Sequence, residues 1–309
     1  SNVSNLPIDT YYVREIKAPH GYAKNTSTYT VKVEAGQTST VIATDEPQSD
    51  QPDVLVVKAD ADTKKSSVQG DATFEGAEFE IRFYAGLYDK ANLPSTYSRT
   101  WKLKTDDRGT TGLIQAYENP AKYFIAGDEF YQNSSGKPVL PLGTVAIRET
   151  KAPAGYELTD SSWHTQHVTA SGDMPTVESF VVPDESSPTV LEKIIRGGIR
   201  LSKVDLTTGK QSAQGDASLS GAEFTIWNRS SHDVIVDGKA YAPNTACLVL
   251  STDRYGVAES SSNVLPFGSY EVRETKAPRG YDLDNEFCIS FQIRDPNVIV
   301  NLSSIKASD

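Results

Sequence analysis

Long hydrophobic runs are missing from this chain of 309 residues. No apolar stretch approaches the ~18 residues that a membrane-spanning helix needs, so no membrane partner is expected. Cysteine is scarce: Cys247 and Cys288 are the only two, which excludes a cysteine-rich zinc module or a disulfide framework. Both lie in segments of alternating character, so they could form one disulfide or stay as two thiols. Basic charge is short as well. Thirty Lys and Arg stand against 41 Asp and Glu, a net charge of −11, which argues against nucleic acid and anionic membranes as partners. The four histidines sit in unrelated contexts. No Ser/His/Asp ordering or glycine-rich phosphate loop stands out, so neither a cofactor nor a turnover enzyme is expected. Ser1-Asn2-Val3 begins without the basic and apolar stretches of a signal peptide. Export signals are therefore expected outside this sequence.

What the chain does have is repetition. One element occurs three times, as Tyr11-Tyr12-Val13-Arg14-Glu15-Ile16-Lys17-Ala18-Pro19-His20-Gly21-Tyr22, Ala146-Ile147-Arg148-Glu149-Thr150-Lys151-Ala152-Pro153-Ala154-Gly155-Tyr156 and Tyr270-Glu271-Val272-Arg273-Glu274-Thr275-Lys276-Ala277-Pro278-Arg279-Gly280-Tyr281. A second occurs twice, from Gln69-Gly70-Asp71 to Gly76-Ala77-Glu78-Phe79 and from Gln214-Gly215-Asp216 to Gly221-Ala222-Glu223-Phe224. Ahead of each copy runs a short segment ending on a lysine, Val54–Lys58 and Ile199–Lys203. Repeats on this scale point to tandem units. Short alternating segments punctuated by Gly, Pro, Asp and Asn predict an all-β fold of tandem immunoglobulin-like sandwiches. The expected units are 1–52, the back half of a sandwich, then 53–190 and 191–309. Polar segments at 45–52 and 184–188 read as stiff linkers. The middle unit holds extra residues near 115–138, expected to project as a hairpin or loop.

The chemistry follows from side-chain alternation, because residues two apart on a strand share a face. Lys58 shares its face with Val56, and Lys203 with Leu201 and Ile199. Glu15, Glu149 and Glu274 likewise follow Val13, Ile147 and Val272. Apolar segments near the ends of the units stop on an acid or an amide: Asp45 after Ala43, Asp184 after Val182, Asn301 after Ile299. Each complete unit thus sends inward one Lys, one Glu and one Asp or Asn. Burial lowers a lysine pKa and raises a carboxyl pKa. A neutral amine beside a carboxamide or carboxylic acid is a nucleophile beside an electrophile, and a protonated Glu can move the proton. The competing reading of each set is a buried salt bridge.

The threefold element resembles the E-box of Gram-positive pilins and of the B-type repeat domains of collagen adhesins, the SpaA or CnaB family, whose fold is prealbumin-like. The resemblance implies an isopeptide bond between a first-strand Lys and a last-strand Asn or Asp, with the E-box Glu assisting. It pairs Lys58 with Asp184 through Glu149, and Lys203 with Asn301 through Glu274. In the incomplete unit Glu15 matches, and Asp45 is an acceptor without a lysine. Val145 replaces the E-box Tyr in the middle unit. The implied function is a stalk segment of a cell-wall-anchored extracellular protein, crosslinked once and not an enzyme. Sortase and the cell wall would be met by regions outside this sequence, and an unidentified host ligand by another part of the parent protein. Two rival functions are a ligand-binding surface on the insertion, with Tyr117, Tyr123, Phe124, Phe130 and Tyr131, and a sortase-polymerised pilus shaft. His164 and His167 lie on opposite strand faces, and the Asp60-Ala61-Asp62 start of a calcium loop is spoiled by Lys64 and Lys65.

Overall fold

The computed structural model describes residues 2–302 and 305–307. Its regular structure is almost all β, and among the described residues no helix is long and apolar enough to cross a membrane. In the middle unit a five-stranded sheet runs in the spatial order His164–Val168, Gly143–Lys151, Glu78–Tyr84, Arg99–Lys104 and Phe124–Gly127. A four-stranded sheet lies against it, in the order Tyr156–Glu157, Val190–Ile194, Val56–Asp60 and Thr110–Thr111. Phe79, Ile81, Trp101, Leu103, Val145 and Val56 fill the space between them. Burial of these side chains supplies the main driving force for the sandwich.

The last unit repeats the plan. Ala246–Ser251, Glu223–Asn228, Gly268–Lys276 and Cys288–Ile293 form one sheet. Opposite, the long strand Arg196–Asp205 pairs antiparallel with Val257–Glu259 and Leu265–Pro266, and parallel with Ile299–Asn301 and Ile305–Ala307. Parallel pairing sets the first and closing strands of a unit side by side, so the chain enters the unit at one end and leaves at the other. The first unit contributes a two-stranded sheet, Thr10–Arg14 with Thr28–Lys32, and leaves Ile8, Tyr12, Val13, Ile16 and Ile42 exposed.

Three sequence-based boundaries move. The middle unit closes on Val190–Ile194, which pairs in parallel with Val56–Asp60, so a unit ending at 190 omits its own last strand. The polar segment taken as a linker is a turn inside that unit, with Asp184 bridging to Ser187. The other supposed linker is docked, since Ser49–Asp50 pairs with Leu140–Pro141 and the Gln48 amide donates to the Ser171, Gly172 and Met174 carbonyls. Polarity marked these segments as exposed, but backbone pairing decided which unit owned them.

The insertion does not project. It forms two short helices, Leu113–Glu118 and Pro120–Tyr123, and then the edge strand Phe124–Gly127. Tyr123 is buried with its hydroxyl on Asp106, and Phe124, Phe130 and Tyr131 pack on the core, leaving Tyr117 exposed among the five aromatics. The cysteines are both free thiols, Cys247 buried and Cys288 exposed. Their strands are the opposite edges of one four-stranded sheet, separated by three strand spacings, about 14 Å. A disulfide needs Cα atoms within about 7 Å.

Candidate functional site

Strand alternation puts Lys58 and Lys203 where the sequence pattern requires. Ile199, Leu201 and Lys203 are fully buried, while Arg200 between them is exposed. Lys58 is likewise fully buried among Val56, Ala59 and Asp60. A lysine ammonium in this position loses its hydration and must find compensating charge.

Glu149 supplies part of that charge, with its Oε1 2.7 Å from Lys58 Nζ. In the last unit Glu274 Oε1 lies 2.5 Å from Lys203 Nζ. The two glutamates reach inward through the same local device. Each faces a phenylalanine of the neighbouring strand, Glu149 opposite Phe79 and Glu274 opposite Phe224, and the register shifts immediately beyond. A bulge of this kind re-aims the side chain next to it. The phenylalanine rings also lie under the ammonium groups, 5.0 Å from Lys58 Nζ and 5.9 Å from Lys203 Nζ. Such ring faces favour a cation.

The third member of the middle set is not Asp184. That residue is exposed, and its Oδ1 accepts from the Ser186 hydroxyl at 2.7 Å and from the Ser186 and Ser187 amides at 2.8 Å. Those bonds, the Ser186 hydroxyl foremost, hold its carboxyl below the usual range. It is occupied capping a turn. Glu192 stands in its place: it is buried, and its Oε1 accepts a hydrogen bond from Lys58 Nζ. Lys58 faces Val190 across the parallel pair, so Glu192 is the next residue on the inward face. The signal was present in the sequence, because Val190, Glu192 and Ile194 alternate with Leu191 and Lys193. It was obscured by a boundary drawn through the closing strand.

The trio has an unusual protonic balance. Burial pushes the Lys58 pKa down to about 8, against the pull of Glu149. Burial also pushes the Glu149 carboxyl up, against the pull of Lys58. Lys58 therefore faces two carboxyl groups, one of which takes up a proton more readily than an ordinary carboxyl. A cavity of about 300 Å³, lined among others by Phe79, Ile147, Glu149, Val190 and Glu192, connects the trio to the edge of the sandwich.

In the last unit Asn301 is not brought to Lys203. It pairs in register with Arg200 and, like Arg200, is exposed. In a parallel pair, register partners point to the same face, so Asn301 follows Arg200 outward. Lys203 itself faces Ile305. Glu274 Oε2 is buried without a hydrogen-bond partner among the described residues.

In the first unit Glu15 accepts from the Asn25 amide at 2.8 Å. Asp45 Oδ1 is buried without a hydrogen-bond partner among the described residues.

A second buried cluster ties each E-box loop to its lysine strand, and the sequence reading gave it no role. Tyr156 donates its hydroxyl to Asp60, two residues beyond Lys58, at 3.2 Å. Tyr281 does the same to Asp205, two beyond Lys203, at 3.0 Å. Gln69 and Gln214 donate amide protons to the same carboxylates. The recurrence of Gln, Asp and Tyr at matching positions in both units was the available signal.

Among families of known proteins, the SpaA prealbumin-like fold domain matches residues 1–47 and 200–306. No curated protein matches the sequence. Among solved structures, the Bacillus anthracis TIE protein is similar in fold, with 24% identity and a TM-score of 0.56 over 98% of this chain. This chain spans 42% of that one. A streptococcal ancillary pilin aligns over 98% of this chain and 76% of its own, at 18% identity and a TM-score of 0.29. BcpA, the major pilin subunit of Bacillus cereus, aligns over 98% and 86%, at 15% identity and a TM-score of 0.32.

Proposed function

The chain belongs to the SpaA family of prealbumin-like fold domains, and on that premise we propose that it is a stalk segment of an extracellular, cell-wall-anchored Gram-positive pilin or adhesin. In this reading the middle unit locks itself with an amide between Lys58 and Glu192. The supporting observation is the trio itself, a fully buried lysine of the first strand held between Glu192 of the closing strand paired with it and Glu149 of the opposite sheet.

The atoms balance without a co-reactant. A proton passes from the Lys58 ammonium to the Glu192 carboxylate, giving a neutral amine and a carboxylic acid. The amine nitrogen attacks Glu192 Cδ while protonated Glu149 donates to the carbonyl oxygen. Glu149 then takes the proton released by nitrogen and returns it to the departing hydroxyl, which leaves as water, and recovers its own proton from the carbonyl oxygen as the amide forms. Two buried charges become one neutral amide, removing their desolvation cost. A lysine of pKa about 8 carries about 300 times more neutral amine at pH 7 than an ordinary one.

The bond would join strands at both ends of the unit, so tension entering along one strand leaves through a covalent link. Packing of the insertion's aromatics on the core favours this stalk over an adhesive surface built from them. For the last unit the proposed acceptor is Asp309, which lies outside the described residues. Ala307-Ser308-Asp309 repeats Ala43-Thr44-Asp45 in sequence.

Intact mass under denaturing conditions tests the reading. Each amide made from a carboxyl removes about 18 Da as water, and peptide mapping must find Lys58 joined to Glu192. Folded protein of unshifted mass would exclude it.

A further inference from the structure

The middle and last units close their sandwiches differently, and the difference leaves the middle unit open. In the last unit Ile299–Asn301 pairs with Gly198, Ile199 and Arg200, and Val300 and Leu302 pack on the core. Those first-strand positions correspond to 53–55 of the middle unit, as Lys203 corresponds to Lys58. Lys203 faces Ile305 and Lys58 faces Val190, so the counterparts of Val300 and Leu302 are Glu185 and Ser187. Both are exposed, in the turn that Asp184 caps. Two apolar side chains that fill the last sandwich are thus replaced in the middle one by polar residues turned to solvent.

The space left open is the cavity of about 300 Å³ beside Lys58. Leu55, Phe79, Val145, Ile147, Phe180 and Val190 line it with apolar surface, and Glu149 and Glu192 line it with carboxyl groups. Among the described residues each carboxyl is hydrogen-bonded only through its Oε1, to Lys58, so both Oε2 atoms lack a partner. With every group ionised, the site holds two negative charges and one positive. Burial makes Glu149 hold a proton more readily, which restores part of the balance. An entering cation would restore it without that proton. At the mouth Asp160 is kept a carboxylate, the Ser162 hydroxyl foremost, and pairs with His164 at 3.0 Å. Arg148, also at the mouth, is engaged by Glu80.

We propose that this cavity binds a small organic ammonium ion, with its apolar body on the wall that includes Phe79 and Phe180 and its charge on Glu149. An apolar chamber with a few placed polar groups is the usual form of a small-molecule site, and this one is at the small end of the range. A neutral guest would leave the carboxyl charge unanswered, and an anion would add to it. The inference goes beyond the stalk reading and does not rest on the crosslink. Joining Lys58 to Glu192 removes one positive and one negative charge together, and Glu149 remains as the counter-charge.

Titration calorimetry of the full chain with three guests of similar shape tests it: phenethylamine, phenethyl alcohol and hydrocinnamate. The ammonium should bind one to one and about tenfold more tightly than the alcohol, because it meets a charged partner. Hydrocinnamate should not bind. Val190→Trp, which fills the chamber, should abolish binding of the ammonium. Glu149→Gln should lower its affinity to that of the alcohol. Intact mass measured on the same samples reports the crosslink, so the two readings fail separately. Equal affinities for the amine and the alcohol, or no binding of the amine at millimolar concentration, overturn the proposal. Binding that survives Val190→Trp or Glu149→Gln unchanged overturns it as well.

Discussion

Glu192 lies two residues past Val190, the register partner of Lys58, and its carboxylate accepts the Lys58 ammonium inside the middle sandwich. The contact spans 134 residues of sequence and joins the first strand of the unit to its last. Converting it into an amide would close a loop worth about 4–5 kcal/mol, by analogy with a disulfide of that span.

Glu192→Ala should therefore restore the water lost at Lys58, raising the intact mass relative to wild type by about 18 Da beyond the substitution itself. Asp184→Ala should leave the crosslink intact, because Asp184 only caps its turn. Chemical denaturation should show the Glu192 variant losing about 4–5 kcal/mol and the Asp184 variant about 1 kcal/mol or less.

Glu149→Ala should leave Lys58 unbonded in a sandwich that still folds, since Glu149 moves the proton and is not consumed. Glu149→Gln should fail in the same way, despite keeping the shape of the side chain. Mapping the Lys58 peptide decides: full-yield crosslinking in either variant would make Glu149 a structural residue.

The pH dependence of an uncrosslinked variant reports the state of Lys58. With a folded pKa of about 8 against the ordinary lysine value of 10.5, the unfolded chain binds more protons between those values. Stability should rise with pH across that window. In Glu192→Ala the gain from pH 8 to 10.5 should approach about 3 kcal/mol over a Glu192→Ala/Lys58→Met reference. Urea titrations of the pair measure it, and parallel curves would contradict a depressed lysine.

The last and first units give opposite expectations. Asn301→Ala should not alter crosslinking of Lys203, because Asn301 faces outward beside Arg200. Glu274→Ala should prevent it by removing the proton carrier. Asp45 should appear in tryptic maps as an unmodified residue, since Lys58 and Lys203 are buried in other units. A peptide joining Asp45 to any lysine of the chain would break this assignment.

Much of this protein is written locally. Lys58, Lys203, Glu149 and Glu274 were legible because alternation along a strand is a property of consecutive residues. Ile199, Leu201 and Lys203 point inward whatever pairs with them. The repeated elements fixed the number of units for the same reason. The acceptor was not legible in this way, because its identity depends on which segment comes to lie beside the lysine strand. Asp184 and Glu192 both follow alternating apolar residues, and only the parallel pairing of Val190 with Lys58 chooses between them. Register also turned Asn301 outward, and strand order separated Cys247 from Cys288 by the width of a sheet. The contacts between units depend likewise on surfaces assembled from distant segments, such as Gly70, Gly155 and Phe267. Sequence alone determined which side chains are driven from water, because hydrophobic patterning acts residue by residue. Tertiary structure alone decided which of them meet, because pairing and packing are set by the whole sheet.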